Sequence, residues 1–291
     1  MLTFPKISIV TPSYNQVAYL EQTILSVLEQ QYPNLEYIII DGGSSDGSVD
    51  IIKKYADRLH YWVSEKDEGL YHAIQKGFEQ SSGEIMGWIN SDDMLHRSAL
   101  FSVAEILSID GIEWFTGTGT LYDEAGRTIR AAKSRHWSKY HFLMKDYQWI
   151  QQESTYWKRS LWERAGGRMD LSYKYAGELE LWNRFFRLAP LYSGDCLVGG
   201  FRIRRANQLS LDNSAAYNDE VSQILSANEV SAAEQATLKK IAKIDQQLRL
   251  LSRSRILNMF FITSRLQKKK EQLLDKPRPV VFNRKLQQFV V

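Results

Sequence analysis

The 291-residue chain is 44% hydrophobic, 24% charged and 12% aromatic, with one cysteine. That balance excludes a disordered or disulfide-stapled protein and leaves length for a sizeable core. A membrane-spanning helix needs roughly 18 or more apolar residues, and the longest strongly apolar stretch, 256–262, falls far short. The net charge of +3 is unevenly spread: residues 227–291 carry 14 Lys+Arg against 5 Asp+Glu, a balance of +9, while 1–226 carry 23 against 29, a balance of −6.

The first residues lack the basic, apolar and small-residue regions of a signal peptide and run directly into a strand pattern over 6–11. A helix is expected over 19–30, where Leu20, Ile24, Val27 and Leu28 share one face. A β-branched strand over 36–41 stops at Gly42-Gly43, and a short helix begins at Ser48. Strands over 61–64 and 84–90 then alternate with helices over 69–80 and 98–107. This order predicts an α/β fold, with a mostly parallel sheet flanked by helices. Residues 114–205 read as aromatic strands around a helix over 178–188 and a strand over 197–204. From 215 to 275 there is no proline, and Leu238, Ile241, Ile244, Leu248 and Leu251 mark an amphipathic helix.

In such sheets ligands bind beyond the carboxyl ends of the strands. Four of those ends, 11–15, 41–46, 64–67 and 90–93, carry polar or acidic loops, so Asp41, Asp46, Asp67, Asp92 and Asp93 are expected to converge along one edge. Gathered carboxylates cost electrostatic free energy unless a cation or a hydrogen-bonding ligand lies among them. Asn90-Ser91-Asp92-Asp93 suits a divalent cation whose other ligands are substrate phosphates; it equally suits the N-cap of a helix over 94–107. The glycine-rich run from Asp41 to Gly47 reads in two ways. Either it approaches a ligand closely, with Asp41 accepting hydrogen bonds from a nucleobase or ribose, or it is a tight turn with Asp46 or Ser48 capping the next helix. No Gly-x-Gly-x-x-Gly follows the first strand and no Walker loop occurs, which argues against a dinucleotide-dependent oxidoreductase or a P-loop nucleotidyltransferase. The five histidines lack metal-ligand spacing.

Ile9-Val10-Thr11-Pro12-Ser13-Tyr14-Asn15, the helix end SVLEQ (26–30), EYIIIDGGSSDGSVD (36–50), EKDEGLYHAIQKG (65–77) and WINSDD (88–93) together resemble the family 2 glycosyltransferases of GT-A fold, over roughly residues 5–210. The resemblance implies a metal-dependent, inverting transfer of a sugar from a nucleoside diphosphate donor, UDP-sugars being favoured. The acceptor it implies is a saccharide or lipid-linked saccharide in surface polysaccharide or lipopolysaccharide synthesis. It places Thr11, Pro12, Tyr14, Asn15, Asp41, Asp67, Gly69 and Asp92 around the donor. Mg²⁺ or Mn²⁺ falls to Asp92 and Asp93, with asparagine at 90 where relatives often carry aspartate. In Gly177-Glu178-Leu179-Glu180-Leu181-Trp182, Glu178 stands where relatives carry an aspartate base, and Glu180 is the second choice. Arg204 stands where many relatives carry a histidine near the diphosphate, and a guanidinium clamps phosphate oxygens bidentately. Gln152, Glu153 and Glu180 are the acceptor candidates, beside Trp149 and Trp157, which read equally well as core. The glutamate at 178 and the arginine at 204 keep open an inactive member that binds a sugar nucleotide or scaffolds a synthase complex.

The resemblance divides the chain into a catalytic domain over 1–210 and a basic, mainly helical extension over 211–291. The extension interleaves Arg253, Arg255, Arg265 and Lys268-Lys269-Lys270 with Ile256, Leu257, Met259, Phe260, Phe261 and Ile262. It reads either as a surface for an anionic membrane or as a helix packed on the body or on another subunit. A nucleic-acid partner is not expected. The lone Cys196 and the absence of a leader pattern favour a reducing cytoplasm, with peripheral attachment to the cytoplasmic face of a membrane.

Overall fold

The computed structural model describes residues 4–205, 213–252 and 259–291. The first half alternates as β1 (Ile7–Ser13), α1 (Leu20–Leu28), β2 (Leu35–Asp41), α2 (Ser48–Lys54), β3 (Tyr61–Ser64), α3 (Leu70–Glu79), β4 (Ile85–Trp88), β5 (Met94–Leu95) and α4 (Ala99–Leu107). Then come β6 (Trp114–Tyr122), β7 (Thr128–Ala131), α5 (Lys139–Leu143), β8 (Thr155–Lys158), α6 (Arg159–Arg164), α7 (Gly177–Leu188) and β9 (Tyr192–Arg202). The C-terminal part holds α8 (Ser214–Ser226), α9 (Ala232–Ser252), α10 (Met259–Leu274) and the hairpin strands β10 (Val281–Asn283) and β11 (Gln288–Val290).

The main sheet runs in the order β3-β2-β1-β4-β8-β6-β9-β5, with β7 on β6. Strands β3, β2, β1 and β4 are parallel, as the alternating pattern predicts. Beyond β4 the sheet is mixed: β8 is antiparallel to both β4 and β6, β6 is parallel to β9, and β5 is antiparallel to β9. Strands buried on both faces read as continuous apolar runs, and β2 shows the consequence. Ile38 and Ile40 enter one cluster with Val10, Trp88, Ile74 and Trp182, while Tyr37 and Ile39 enter the opposite one with Ile7, Ile9, Ile24 and Val103. Four tryptophans, Trp88, Trp114, Trp157 and Trp182, fill the space between the sheet and α7; Trp88 and Trp182 stack at 5.9 Å. Such large aromatic surfaces dominate core energetics, and here they fix α7 against the end of β4.

The apolar stripe of the C-terminal part is covered. Ile241 and Leu274 are buried against Tyr140 of α5, with Leu238, Leu143 and Met144 around them. The long helical run breaks at Ser231-x-x-Glu234, a capping box in which Ser231 N donates to Glu234 and Glu234 N to Ser231 Oγ. Helix α8 places Tyr217, Val221, Ile224 and Leu225 in the same cluster as Trp88 and Trp182, so the boundary at 210 falls inside a shared core. Arg253, Arg255, Ile256 and Leu257, along with 206–212, lie outside the described residues, and the side chains of Met259, Phe260 and Phe261 lie outside them too.

Candidate active site

Parallel register brings the carboxyl ends of the strands level: Ser13 lies opposite Asp41, and Asp41 opposite Ser64. The Asp41 carboxylate is buried and accepts from Gly43 N, Ser44 N, Ser44 Oγ and Ser64 Oγ at 2.6 to 3.1 Å. It therefore builds the β2 loop with its own oxygens. Asn15 ties that loop to β1, since Asn15 N donates to Ser44 Oγ and Asn15 Oδ1 accepts from Ser45 N. Asp46 accepts from Val17 N and Ser48 N, which joins the same two loops and serves the start of α2. Thr11 turns into the sheet, its hydroxyl 3.1 Å from the Tyr37 hydroxyl, and Pro12 is buried beside it. Tyr14 projects outward, 61% exposed. Asp67 accepts from Gly69 N and lies against Gly42, where a Cβ would come 2.7 Å from its Oδ2. Gly69 has φ +117°, a conformation L side chains rarely adopt, and it opens α3 there.

The loop 90–93 does not cap a helix. Met94 and Leu95 instead form β5, paired with Gly199 and Gly200 of β9, and α4 starts only at Ala99. Asp93 is buried, with Oδ1 accepting from Arg202 N at 2.8 Å and Oδ2 from Asn90 Nδ2 at 3.3 Å. Asp92 pairs with Arg204, Nε to Oδ2 3.0 Å, and its backbone carbonyl accepts from Arg202 Nε. Glu153, in the short turn 152–154, is buried nearby, and its Oε1 has no hydrogen-bond partner. Gln152 donates to the Trp88 carbonyl and leaves Oε1 unpartnered, as are Asn90 Oδ1 and Ser13 Oγ. Burial pushes the Asp93 carboxyl well above its ordinary range, with the charges of Asp92 and Glu153 adding to it. Burial also lifts Asp92, against the pull of Arg204, and raises Glu153 to about 8, the latter helped by Asp92 and Glu178.

Glu178 lies in the first turn of α7 and is pushed up to about 7 by burial. The Tyr71 hydroxyl bonds its carboxylate, and Glu220 of α8 holds the approach to the helix by accepting from Lys174, Tyr175 and Ala176 N–H groups. Glu180 faces elsewhere: it grips Arg184, 2.7 Å, whose guanidinium also donates to the Ala165 and Arg168 carbonyls. Both Glu180 oxygens are thus engaged by Arg184, which ties α7 to 165–168. Of the tryptophans, Trp157 is core and Trp149 is 62% exposed beside Tyr147 and Tyr217.

Sequence reasoning missed three residues that shape this site. Arg202 has a fully buried guanidinium that bridges Asp92 O, Glu124 O and Gln22 Oε1; its position at the end of β9, two residues before Arg204, was the available signal. Tyr71, inside the 65–77 motif, and Glu220 reach Glu178 and its helix from other elements, and nothing local to either residue points to that contact.

Among the described residues no three or more His, Cys, Asp or Glu side chains are arranged to hold a metal ion. Asp92 and Asp93 are adjacent in the chain, Asp92 Oδ2 paired with Arg204 and both Asp93 oxygens accepting hydrogen bonds, while Asn90 Oδ1 and Glu153 Oε1 are unpartnered; an ion there would need substrate phosphates and water for its remaining ligands, the usual way Mg²⁺ is bound.

The model of "Glycosyl transferase family 2" matches residues 8–162, and the chain belongs to that family. Among curated relatives, a putative teichuronic acid biosynthesis glycosyltransferase of Bacillus subtilis, TuaG, is 36% identical over 106 residues, 35% of this chain and 42% of that protein. An uncharacterized glycosyltransferase of Rickettsia typhi is 27% identical over 194 residues, 65% of this chain and 61% of the relative. The matches thus span less than two thirds of those relatives, 42% and 61%. Among solved structures, S. aureus TarS in complex with UDP-GlcNAc superposes with TM-score 0.63 at 15% identity, covering 92% of this chain and 81% of that one. The mannosyltransferase PcManGT from Pyrobaculum calidifontis, in complex with GDP-Man and Mn²⁺, gives 0.60 at 14% identity, covering 94% and 85%. These likenesses establish the GT-A type of fold.

Proposed function

We propose that the chain is an inverting glycosyltransferase, moving a sugar from a nucleoside diphosphate donor, UDP-sugars first, to a saccharide or lipid-linked saccharide of surface polysaccharide. The observation that carries this is the convergence of Glu178, Glu153, Asp92 and Arg204 from four separate elements, with Glu153 electrostatically linked to both Asp92 and Glu178. Family membership, the teichuronic acid relative and nucleotide-sugar-bound structural neighbours support it.

In this reading the nucleoside lies over the β1 and β2 loops, which Asn15, Asp41 and Asp67 hold in shape and Tyr14 overhangs, with Thr11 and Pro12 beneath. Glycine at 69 lets the backbone approach the donor. Asp92 and Asp93 would hold Mg²⁺ or Mn²⁺, which supplies Lewis-acid stabilisation to a leaving diphosphate. Arg204, paired with Asp92, would offer its guanidinium to phosphate oxygens. Ionised Glu178 takes the proton of the acceptor hydroxyl, a role that needs a carboxylate within hydrogen-bond reach. Gln152 and Glu153 offer unpartnered oxygens to sugar hydroxyls, and exposed Trp149 offers an apolar face. The residues in the chemistry lie within 1–210, with Tyr217 and Glu220 of α8 packed against them, and α9 and α10 carry attachment.

For the attachment we propose an anionic membrane. The apolar stripe is covered by α5, while Lys239, Lys240, Lys243, Lys268 and Lys269 remain exposed on α9 and α10. No helix among the described residues is long and apolar enough to cross a membrane. Charge reversal of those five lysines should abolish co-sedimentation with phosphatidylserine vesicles; unchanged sedimentation rejects the attachment.

The test of the catalytic reading is release of UDP from a panel of UDP-sugars with Mn²⁺. Wild type should turn over and Glu178→Gln should not, with UDP affinity preserved. Binding without turnover by wild type on every donor would favour the inactive, scaffolding reading.

A further inference from the structure

Glu178 is half-buried, and the groups that face it come from three elements: Tyr71 of α3, Glu220 and Tyr217 of α8, and Glu153 of the turn 152–154. None of them brings a positive charge. Among the described residues the carboxylate's one side-chain hydrogen bond is to the Tyr71 hydroxyl, and that hydroxyl also lies 3.0 Å from the Tyr175 backbone carbonyl. A phenol has one proton to give, and a carbonyl can only accept. The three oxygens can therefore be joined in two ways. With Glu178 ionised, Tyr71 donates to the carboxylate; with Glu178 protonated, the acid donates to the Tyr71 oxygen and Tyr71 donates to the Tyr175 carbonyl.

The heavy atoms are held in place for both arrangements. The Tyr71 ring is buried in the main apolar cluster and lies flat against Gly177, where a Cβ would come 2.8 Å from three ring carbons. Only glycine at 177 lets the ring pass beneath the helix start. The Tyr175 carbonyl is fixed because Glu220 accepts from the Tyr175 and Ala176 N–H groups at 2.9 and 2.8 Å. Switching between the states thus requires rotation of one O–H bond and no repacking.

We propose that Tyr71 is a positioning residue that acts as a two-state latch for the Glu178 proton, turning its O–H from the Tyr175 carbonyl to the carboxylate when Glu178 ionises and back when it is protonated. The proton balance is simple. One proton arrives on Glu178 from the acceptor hydroxyl, and the Tyr71 proton changes its hydrogen-bond partner but not its oxygen. The latch rests on the reading of Glu178 as base for its kinetic consequence only.

The experiment is pH-difference infrared spectroscopy of the full chain, with the Glu178 carboxyl band assigned by its loss in Glu178→Gln. Wild type should titrate near 7. Tyr71→Phe removes the charge-assisted bond to the ionised form, the stronger of the two bonds, so the midpoint should rise by about one pH unit, a tenfold change in proton affinity. Replacing Tyr71 by 3-fluorotyrosine, a stronger donor of nearly the same size, should lower it and guards against a folding defect in Tyr71→Phe. A midpoint that moves in neither protein, or moves in the opposite sense, overturns the latch. If the band shifts while the pH profile of UDP release does not, the latch stands and Glu178 is not the base.

Discussion

Arg204 and Asp92 are paired inside the protein, Nε to Oδ2 3.0 Å, with side chains 9% and 14% exposed, and the same guanidinium reaches Gln16 at 3.0 Å. The pair links the end of β9 to the loop after β4 and to the loop after β1. In the proposed reading this fixed cation serves the diphosphate of the donor.

Replacing Arg204 by methionine removes that cation and leaves Asp92 without its partner. A hydrogen bond to a charged group contributes about 1.5 to 3 kcal/mol, so UDP affinity should fall about 10- to 100-fold, with lysine restoring part of it. Calorimetric titration with UDP checks this; wild-type affinity in Arg204→Met would remove Arg204 from the donor site.

Glu178 makes stability depend on pH. Its folded pKa, about 7, lies above the ordinary carboxylate value of 4.5, so the native state binds more protons than the unfolded state between those values. Stability is therefore lost as pH rises through that window. Glu178→Gln, which cannot ionise, should melt above wild type at pH 8, and the gap should close below pH 4.5. Melting curves that differ equally at both pH values would contradict a Glu178 that titrates in the folded protein.

Arg202 anchors the acidic loop from behind through Asp92 O, Glu124 O and Gln22 Oε1, while its N–H holds Asp93. Its charge is buried among Asp92 and Asp93, and removing one member of such a set costs about 3 to 5 kcal/mol. Urea unfolding of Arg202→Met should report a loss of that size; a loss under 1 kcal/mol would show that the loop holds itself.

Glu180 should behave as scaffold. Its bond to Arg184 is partly solvent-screened, so Glu180→Gln should cost about 1 kcal/mol or less. UDP release should keep its wild-type kcat and KM. A fall in kcat with unchanged stability would return Glu180 to the chemistry.

The sequence by itself determined the alternating half of the fold and the loops that matter. Period-two and period-3.6 patterns report which face of each element is buried, and polar loops after apolar strands mark a ligand-binding edge. It also singled out Glu178 and Arg204, by resemblance. Only the tertiary structure decided that 90–93 precedes a strand and not a helix, because the deciding partner is the β9 segment at Gly199 and Gly200. Likewise, it separated Glu178 from Glu180, two residues apart on one helix, by giving the first to Tyr71 and the second to Arg184. It sorted core Trp157 from exposed Trp149, and turned the stripe at Ile241 onto α5. The reason is separation along the chain. Tyr71 meets Glu178 across 107 positions and Asp93 meets Arg202 across 109, and no local periodicity encodes a contact that exists only once the sheet has brought its strand ends together.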